Sequence, residues 1–478
     1  MSHADASPGP APTHDPPPSH GPRPTHGPPP SHAAWIAGLA WEDLPGPVQR
    51  QARRCLKDVV AAAAGSLALP AASAIERLVA AQFGAGPAPM LFRGPKTTLA
   101  GAAFGNALRI DGLDCHDGFR PTKGHAGATV VPVLLAAASL RTLSGAELLA
   151  GLVAGYEVAL RAGLALHATY APAYHGSGAW AALGAAAAGA HAFGIPADEI
   201  DAVLGAAEYH GPMAPILRCT EFPSIVKDGA GAGALSAAMS LAMHAQGLRG
   251  LPSLFTHEPK GREQVSSLGR DWLVLRQYFK LYPTCRWTHA PVEGVVRLRD
   301  EHGFAAADVE RVEVESFAET GTLMSFPPAD SDGAQYCLPW AVAAVIVDGE
   351  LGLDQVLPGR LGDPAIVELG RRVVFQKADD LQARFPAECL ARVRVVLKGG
   401  RTLCGPTLGA RGDHTDPASD AELDTKYERL AARTIGKAAA QKLGDVLDTL
   451  EQRPATDLLA LLEPGTSGLV PGASEGPA

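Results

Sequence analysis

The sequence predicts a mostly α protein, a large all-helical domain joined to a smaller α+β domain, and three observations predict it. Apolar residues recur at helical spacing from Leu44 to Ala64, where Leu44, Val48, Ala52, Cys55, Val59 and Ala63 fall three or four apart. Alanine-rich helical texture then continues to about residue 272. Beyond it, Asp308–Phe317 and Ala391–Leu397 alternate valine with polar residues, the period of a half-buried strand.

Taken in order, the first 32 residues carry 11 of the 40 prolines and almost no large apolar side chain, so nothing there offsets the entropy of ordering. This predicts a disordered Pro/His-rich tail over 1–32. Its His14, His20, His26 and His32 recur every six residues, and spaced imidazoles are also ligands for borderline metals. Folded texture begins at Trp35. Three segments are strongly apolar, Val130–Leu140, Ala179–Phe193 and Ala230–Leu248. A membrane span needs about 20 predominantly apolar residues. These are shorter, or built from Ala and Gly with His191 and His244 inside, and read as buried helices packed closely through small residues. Between the two strand patterns lie helical stretches at Leu338–Ile346 and Pro364–Val373. Gly412–Pro417 reads as a turn, and Asp420–Glu463 is helical again. The expected organisation is a large helical domain over 33–272 with 410–464, a smaller α+β domain over 273–409, and a second disordered tail over 465–478.

Composition narrows the partners. With 478 residues, 46% apolar and 19% charged, the chain can bury a substantial core. Its net charge of −9 is the wrong sign for nucleic acid or an anionic membrane surface, so neither is an expected partner. Any anionic ligand needs a local basic pocket. The seven cysteines form no Cys-x-x-Cys pair, which removes the usual zinc-ribbon and thioredoxin-like signals. Their odd number and the absence of a basic, apolar leader point to reduced thiols and a cytoplasmic location.

Four segments concentrate chemistry. Leu113–Val131, LDCHDGFRPTKGHAGATVV, gathers Asp114, His116, Asp117 and His125 in a loop before a buried helix, whose N-terminus adds positive potential; the plainer reading is a turn whose aspartates cap helices. Tyr170–Gly178 sets His175 before another Ala-rich helix, where a surface histidine is the alternative. In Ser224–Gly233, Lys227 precedes a glycine run that opens a helix. The lysine lies on the wrong side of the glycines for a phosphate-binding P-loop, but it suits a carboxylate. Phe279–Ala290 packs Lys280, Cys285, Arg286 and His289 into the expected domain boundary, a common place for a cleft, although solvated basic residues in a connector would look the same. No GxSxG nucleophile elbow is present.

These segments, together with GYEVALRAG at Gly155–Gly163, YCLPWAVAAVIVDGE at Tyr336–Glu350 and GDHTDPASDAELDTKY near the C-terminus, resemble the MmgE/PrpD family in order and separation over about residues 35–450. The resemblance implies an all-helical domain with a smaller α+β lid and a homodimer. It also implies no metal and no organic cofactor, with a small di- or tricarboxylate as the partner molecule. The family's chemistry is bond making or breaking next to a carboxylate.

Carried over residue by residue, the resemblance assigns catalysis to His125, Asp114, His175, Lys227 and Cys285, and substrate binding to Lys280; Asp117, His289, Arg286 and Trp340, in the same motifs, are further expected binding residues. His125 is the expected acid or base, oriented by Asp114. His175 handles a second proton, the two lysines clamp carboxylates and absorb developing charge, and Cys285 is an alternative proton carrier. Two departures from the family pattern are His116, where an acidic residue is usual, and Gly176 after His175, where proline is usual. The expected reaction is dehydration of the 2-methylcitrate type. The eleven-residue step from Asp114 to His125 resembles an iminodisuccinate epimerase, which makes epimerisation of a dicarboxylate the alternative; decarboxylation is the least favoured of the three reactions, and a non-catalytic carboxylate-binding protein is the further alternative.

Overall fold

The computed structural model describes residues 31–170 and 175–465. Its helical part opens with α1 (His32–Gly38), α2 (Gly46–Gly65), α3 (Ala71–Gln82), α4 (Leu99–Gly112), α5 (Gly127–Ala138) and α6 (Gly145–Tyr170). It continues with α7 (Ser177–Phe193), α8 (Ala197–Tyr209), α9 (Leu217–Glu221), α10 (Ala230–Ala245), α11 (Leu254–His257) and α12 (Pro259–Val265). A short hairpin, β1 (Ala85–Pro89) with β2 (Lys96–Thr97), interrupts it.

The centre of this part is α7, whose Ala and Gly residues are buried all round and packed by α5, α6, α8 and α10. Close approach is the reason for its composition. A Cβ on Gly184 would lie 2.3 Å from the Gly155 carbonyl oxygen on α6, so the two backbones touch only where glycine stands. Helix α6 is long and apolar enough to cross a membrane, yet 94% of its most apolar window is buried inside the protein, as in a core helix.

The second part begins after Gln277 and holds α13 (Arg286–His302), β3 (Val309–Ser316), α14 (Ser331–Gln335), α15 (Leu338–Asp348), α16 (Pro364–Gly370), β4 (Val373–Lys377) and α17 (Asp379–Gln382). It ends with β5 (Leu390–Leu397), β6 (Thr402–Cys404) and β7 (Leu408–Gly409). The sheet order is β4-β3-β5-β6, with β7 on the end of β5. β3 runs parallel to β4 with Val312 opposite Val373, and antiparallel to β5 with Val314 opposite Val393. Val312, Val314, Val393 and Val395 face the core against α13, while Glu315 takes Arg392 and Arg394 at 2.7 and 2.8 Å on the other face.

The chain then returns to the helical part through α18 (Asp420–Ile435), α19 (Lys437–Asp448) and α20 (Ala455–Leu462). Helix α18 packs along α2, and its buried Lys426 pairs with Asp58.

Three expectations change. Ser31 caps α1 and His32 is its first residue, with Nε2 2.9 Å from Asp201 on α8, so folded structure starts inside the expected tail. The helix expected over Pro364–Val373 stops at Gly370, because Val373 and Val374 pair with β3. The β1–β2 hairpin has no clear alternation in sequence. The tail histidines His14, His20 and His26, Tyr174 and most of the C-terminal tail lie outside the described residues.

Candidate active site

After α4 the chain turns through Leu113–Ala126 and re-enters a helix at Gly127. Glycine lets this loop sit tight between two walls. A Cβ on Gly118 would meet the Tyr278 hydroxyl at 2.4 Å, and one on Gly124 would meet Ser177 Oγ at 2.3 Å. The loop therefore lies directly against the start of α7 on one side and the second part on the other. Between the two parts is a narrow cavity of about 60 Å³. The helical part lines it with Asp111, Asp114, Arg120, His125, Cys219 and Asp228, and the second part with Tyr278, Lys280, Cys285, Arg286, Trp287 and Tyr336.

Lys280 donates to the Asp114 carboxylate, both side chains being buried, and reaches the Asp114 carbonyl at 3.3 Å. Burial alone would raise the Asp114 carboxyl, but the surrounding cations, Lys280 foremost, hold it well below the usual carboxylate range. His125 stands beside this pair. Its Nδ1 is 2.6 Å from the Asp117 carbonyl, which can only accept, so the proton is on Nδ1 and the Nε2 lone pair is free, 4.0 Å from Asp114 Oδ1. The His125 main-chain N–H donates to Ser177 Oγ at 2.7 Å, and Ser177 in turn donates to Asp228. Burial, then the Lys280 charge, lowers the His125 pKa to about 3. The imidazole is neutral throughout the physiological range.

Behind it, His116 packs edge-on at 4.6 Å between ring centres, with Nε2 3.2 Å from Asp111 Oδ1. Burial lowers this imidazole and pushes the Asp111 carboxyl up to about 7. The imidazole that departs from the family pattern is thus a buried, neutral partner of an acid.

The remaining expected residues divide. Cys285 caps α13 and lines the cavity, but burial pushes its thiol up to about 12, so it can give a proton and is no thiolate. Arg286 also lines the cavity, stacked 4.5 Å over Tyr278 and bonded to the carbonyls of Arg411 and Ala410. Lys227 has a left-handed backbone, φ +48, a strained conformation for a non-glycine residue. Its Nζ is 2.9 Å from Asp332 and 3.1 Å from Gln335 Oε1, beneath the Tyr336 ring. Lys227 lines a neighbouring pocket and not this cavity, and the clamp expected there is already holding a carboxylate of the protein.

Four expectations are corrected. Asp117 is buried under the loop, accepting from the Tyr156 hydroxyl at 2.7 Å, and serves His125 through its carbonyl. His289 points into the core and bonds the Thr284 carbonyl at 3.1 Å, one helical turn beyond the cavity edge. Trp340 is fully buried with Nε1 on the Gln355 carbonyl at 2.8 Å. His175 is not among the cavity-lining residues; its ring lies 5.9 Å from that of His167. Sequence reasoning missed Tyr278, Tyr336, Gln335 and Asp228. Asp228 adjoins Lys227, Tyr336 opens the Tyr336–Glu350 motif and Gln335 immediately precedes it, so adjacency was the available signal.

Two family profiles match the chain in series, the MmgE/PrpD N-terminal domain over residues 31–274 and the MmgE/PrpD C-terminal domain over 282–452. The seam between them falls at the segment that brings Tyr278 and Lys280 into the cavity. Among curated proteins, the chain is similar to a cis-aconitate decarboxylase of Aspergillus terreus, 22% identical over 469 residues that cover 90% of this chain and 94% of the relative. It is equally similar to the cis-aconitate decarboxylase-like protein oryM of Aspergillus oryzae (strain ATCC 42149 / RIB 40), 22% identical over 466 residues covering 90% and 95%. With both domain profiles in order across the folded chain, this protein belongs to the MmgE/PrpD family.

Proposed function

We propose that this protein is a lyase acting on a small di- or tricarboxylate by proton transfer next to a carboxylate, with dehydration of a hydroxylated tricarboxylate as its reaction. The observation that carries the reading is the 2.6 Å contact between His125 Nδ1 and the Asp117 carbonyl, which assigns the tautomer. The Nδ1 proton is committed to the Asp117 carbonyl, which leaves Nε2 as a base at the cavity. In the free protein burial, and after it the Lys280 charge, makes that base weak. A bound polycarboxylate offsets the lysine charge and raises the imidazole pKa, so substrate switches on its own base.

In the reaction, Nε2 takes a proton from the carbon beside a carboxylate, the electron pair becomes the new double bond, and the carbon–oxygen bond breaks. The departing hydroxide takes a proton from Tyr336, whose phenol burial keeps protonated, and leaves as water. His125 then returns its proton to the phenolate through solvent. Lys280, with Lys227 once a substrate carboxylate displaces Asp332, stabilises the charge that develops on the carboxylate oxygens.

A second reading is decarboxylation, favoured by the names of both relatives. In it a carbon–carbon bond gives its electrons to the substrate carbon as CO2 leaves, and a neutral donor such as Tyr336 or Cys285 protonates that carbon. In the epimerase reading His125 removes the proton and the Cys285 thiol, which burial keeps protonated, returns one to the same carbon.

Proton NMR in D2O with 2-methylcitrate, citrate, cis-aconitate and iminodisuccinate separates these. New olefinic signals from a hydroxy acid support dehydration, and loss of cis-aconitate with release of CO2 replaces it with decarboxylation. Deuterium exchange without net loss replaces it with epimerisation, and silence with all four removes the lyase reading. His125→Ala should slow the observed turnover by about 10²–10⁴-fold while remaining folded; unchanged turnover would remove His125 as the base.

A further inference from the structure

Gln335 is the last residue of α14 and is completely buried, and nothing in the chemistry above uses it directly. Its polar atoms nevertheless meet three segments that the cavity needs. Oε1 accepts from the Asp114 main-chain N–H at 2.8 Å and from Lys227 Nζ at 3.1 Å. Its own carbonyl accepts from the Cys285 N–H at 2.7 Å. Nε2 donates to the Ser331 carbonyl at 3.0 Å, which fixes which end of the amide faces the site.

One oxygen of the second part thus holds two groups of the helical part that lie more than a hundred residues apart in sequence. An amide suits this position for an electrostatic reason. It accepts two hydrogen bonds without adding charge, whereas a carboxylate would be a second anion on Lys227, which Asp332 already touches.

We propose that Gln335 is a positioning residue: its amide oxygen sets Lys227 in register with the Asp114 loop, so that docking of the α+β part assembles the site. The consequence for catalysis rests on the proposed function, since it requires Lys227 to bind a substrate carboxylate, but the register itself does not.

The test uses the full chain with Gln335→Met, which removes the acceptor at similar volume, and Gln335→Glu, which keeps it and adds charge. Hydrogen exchange at the Asp114 amide should accelerate about 5- to 100-fold in Gln335→Met, with α6 and α7 unchanged, and should stay protected in Gln335→Glu. An unchanged Asp114 amide in Gln335→Met overturns the proposal. If that variant also loosens α6 and α7, Gln335→Glu decides: protection at Asp114 supports the register, and its loss with α6 and α7 intact overturns it.

On the carboxylate that the wild type consumes, Gln335→Met should raise KM and lower kcat, and adding Lys227→Met should cost much less than it does in the wild type. Fully additive effects would overturn action through Lys227. If the wild type consumes none of the carboxylates, the functional reading falls while the exchange arm still decides the register.

Discussion

At the residue scale, charge and burial oppose each other within a few ångströms, and the outcome differs for each group. Asp114 has Lys280 against its carboxylate and stays ionised despite burial. Asp111, three residues earlier at the end of α4, has a neutral imidazole for a partner and burial wins. His125 faces both burial and an ammonium, and both push the same way. A histidine with a depressed folded pKa stabilises the protein fully above its unfolded value of about 6.5, and this contribution is lost as pH falls toward about 3. Asp111 has the opposite sign, contributing most below its unfolded value near 4 and losing that as pH rises through about 7. Comparing wild type with His125→Asn isolates the first effect. The Tm gap between the two should be widest near pH 7.5 and shrink steadily toward pH 4. A gap that widens on acidification would mean that His125 is protonated in the fold.

At the scale of elements, helices were legible wherever their own composition carried the reason. The Ala and Gly content of α7 announces a helix packed on every side, and the structure supplies the partner, the Gly155 carbonyl on α6. Gly184→Ala would set a methyl 2.3 Å from that oxygen and 2.5 Å from Ala159 Cβ, so the helices must part. Overpacking of this kind costs about 1–3 kcal/mol, to be read as a lower urea midpoint with an unchanged slope. A variant as stable as wild type would show that the α6–α7 contact is looser than this. Strands β3 and β5 were legible from alternating valines. β4 was not, because Val373–Lys377 buries little on its own and owes its state to the backbone of β3, some sixty residues away. The same distance hid Gln335, Tyr278 and Tyr336. Their partners in the site come from another part of the chain, and no local pattern encodes that pairing, whereas the Asp114–His125 loop carries its glycines, histidines and acids in one stretch.

At the scale of the whole molecule, an acidic chain confronts the anionic substrate proposed for it. The net charge of −9 repels a polycarboxylate at long range, while the cations that would bind it, Lys280 above all, are buried between the two parts. Salt treats these two fields differently. The Debye length shrinks from about 30 Å at 0.01 M to about 8 Å at physiological ionic strength, which removes repulsion between exposed charges, yet buried charges are screened much less. Added salt should therefore help the encounter more than it harms the bound state. The expected result is that kcat/KM for the tricarboxylate consumed by the wild type rises modestly, or stays level, between 10 and 150 mM potassium chloride. The same measurement on a charge-reduced substrate, such as a monoamide, should show a smaller rise. A steep fall with salt would mean that partly exposed basic residues, with Arg120 at the cavity edge the first to examine, draw substrate in from solution. The attraction would then be a surface field, and the buried Lys280–Asp114 pair would be secondary to it in capture.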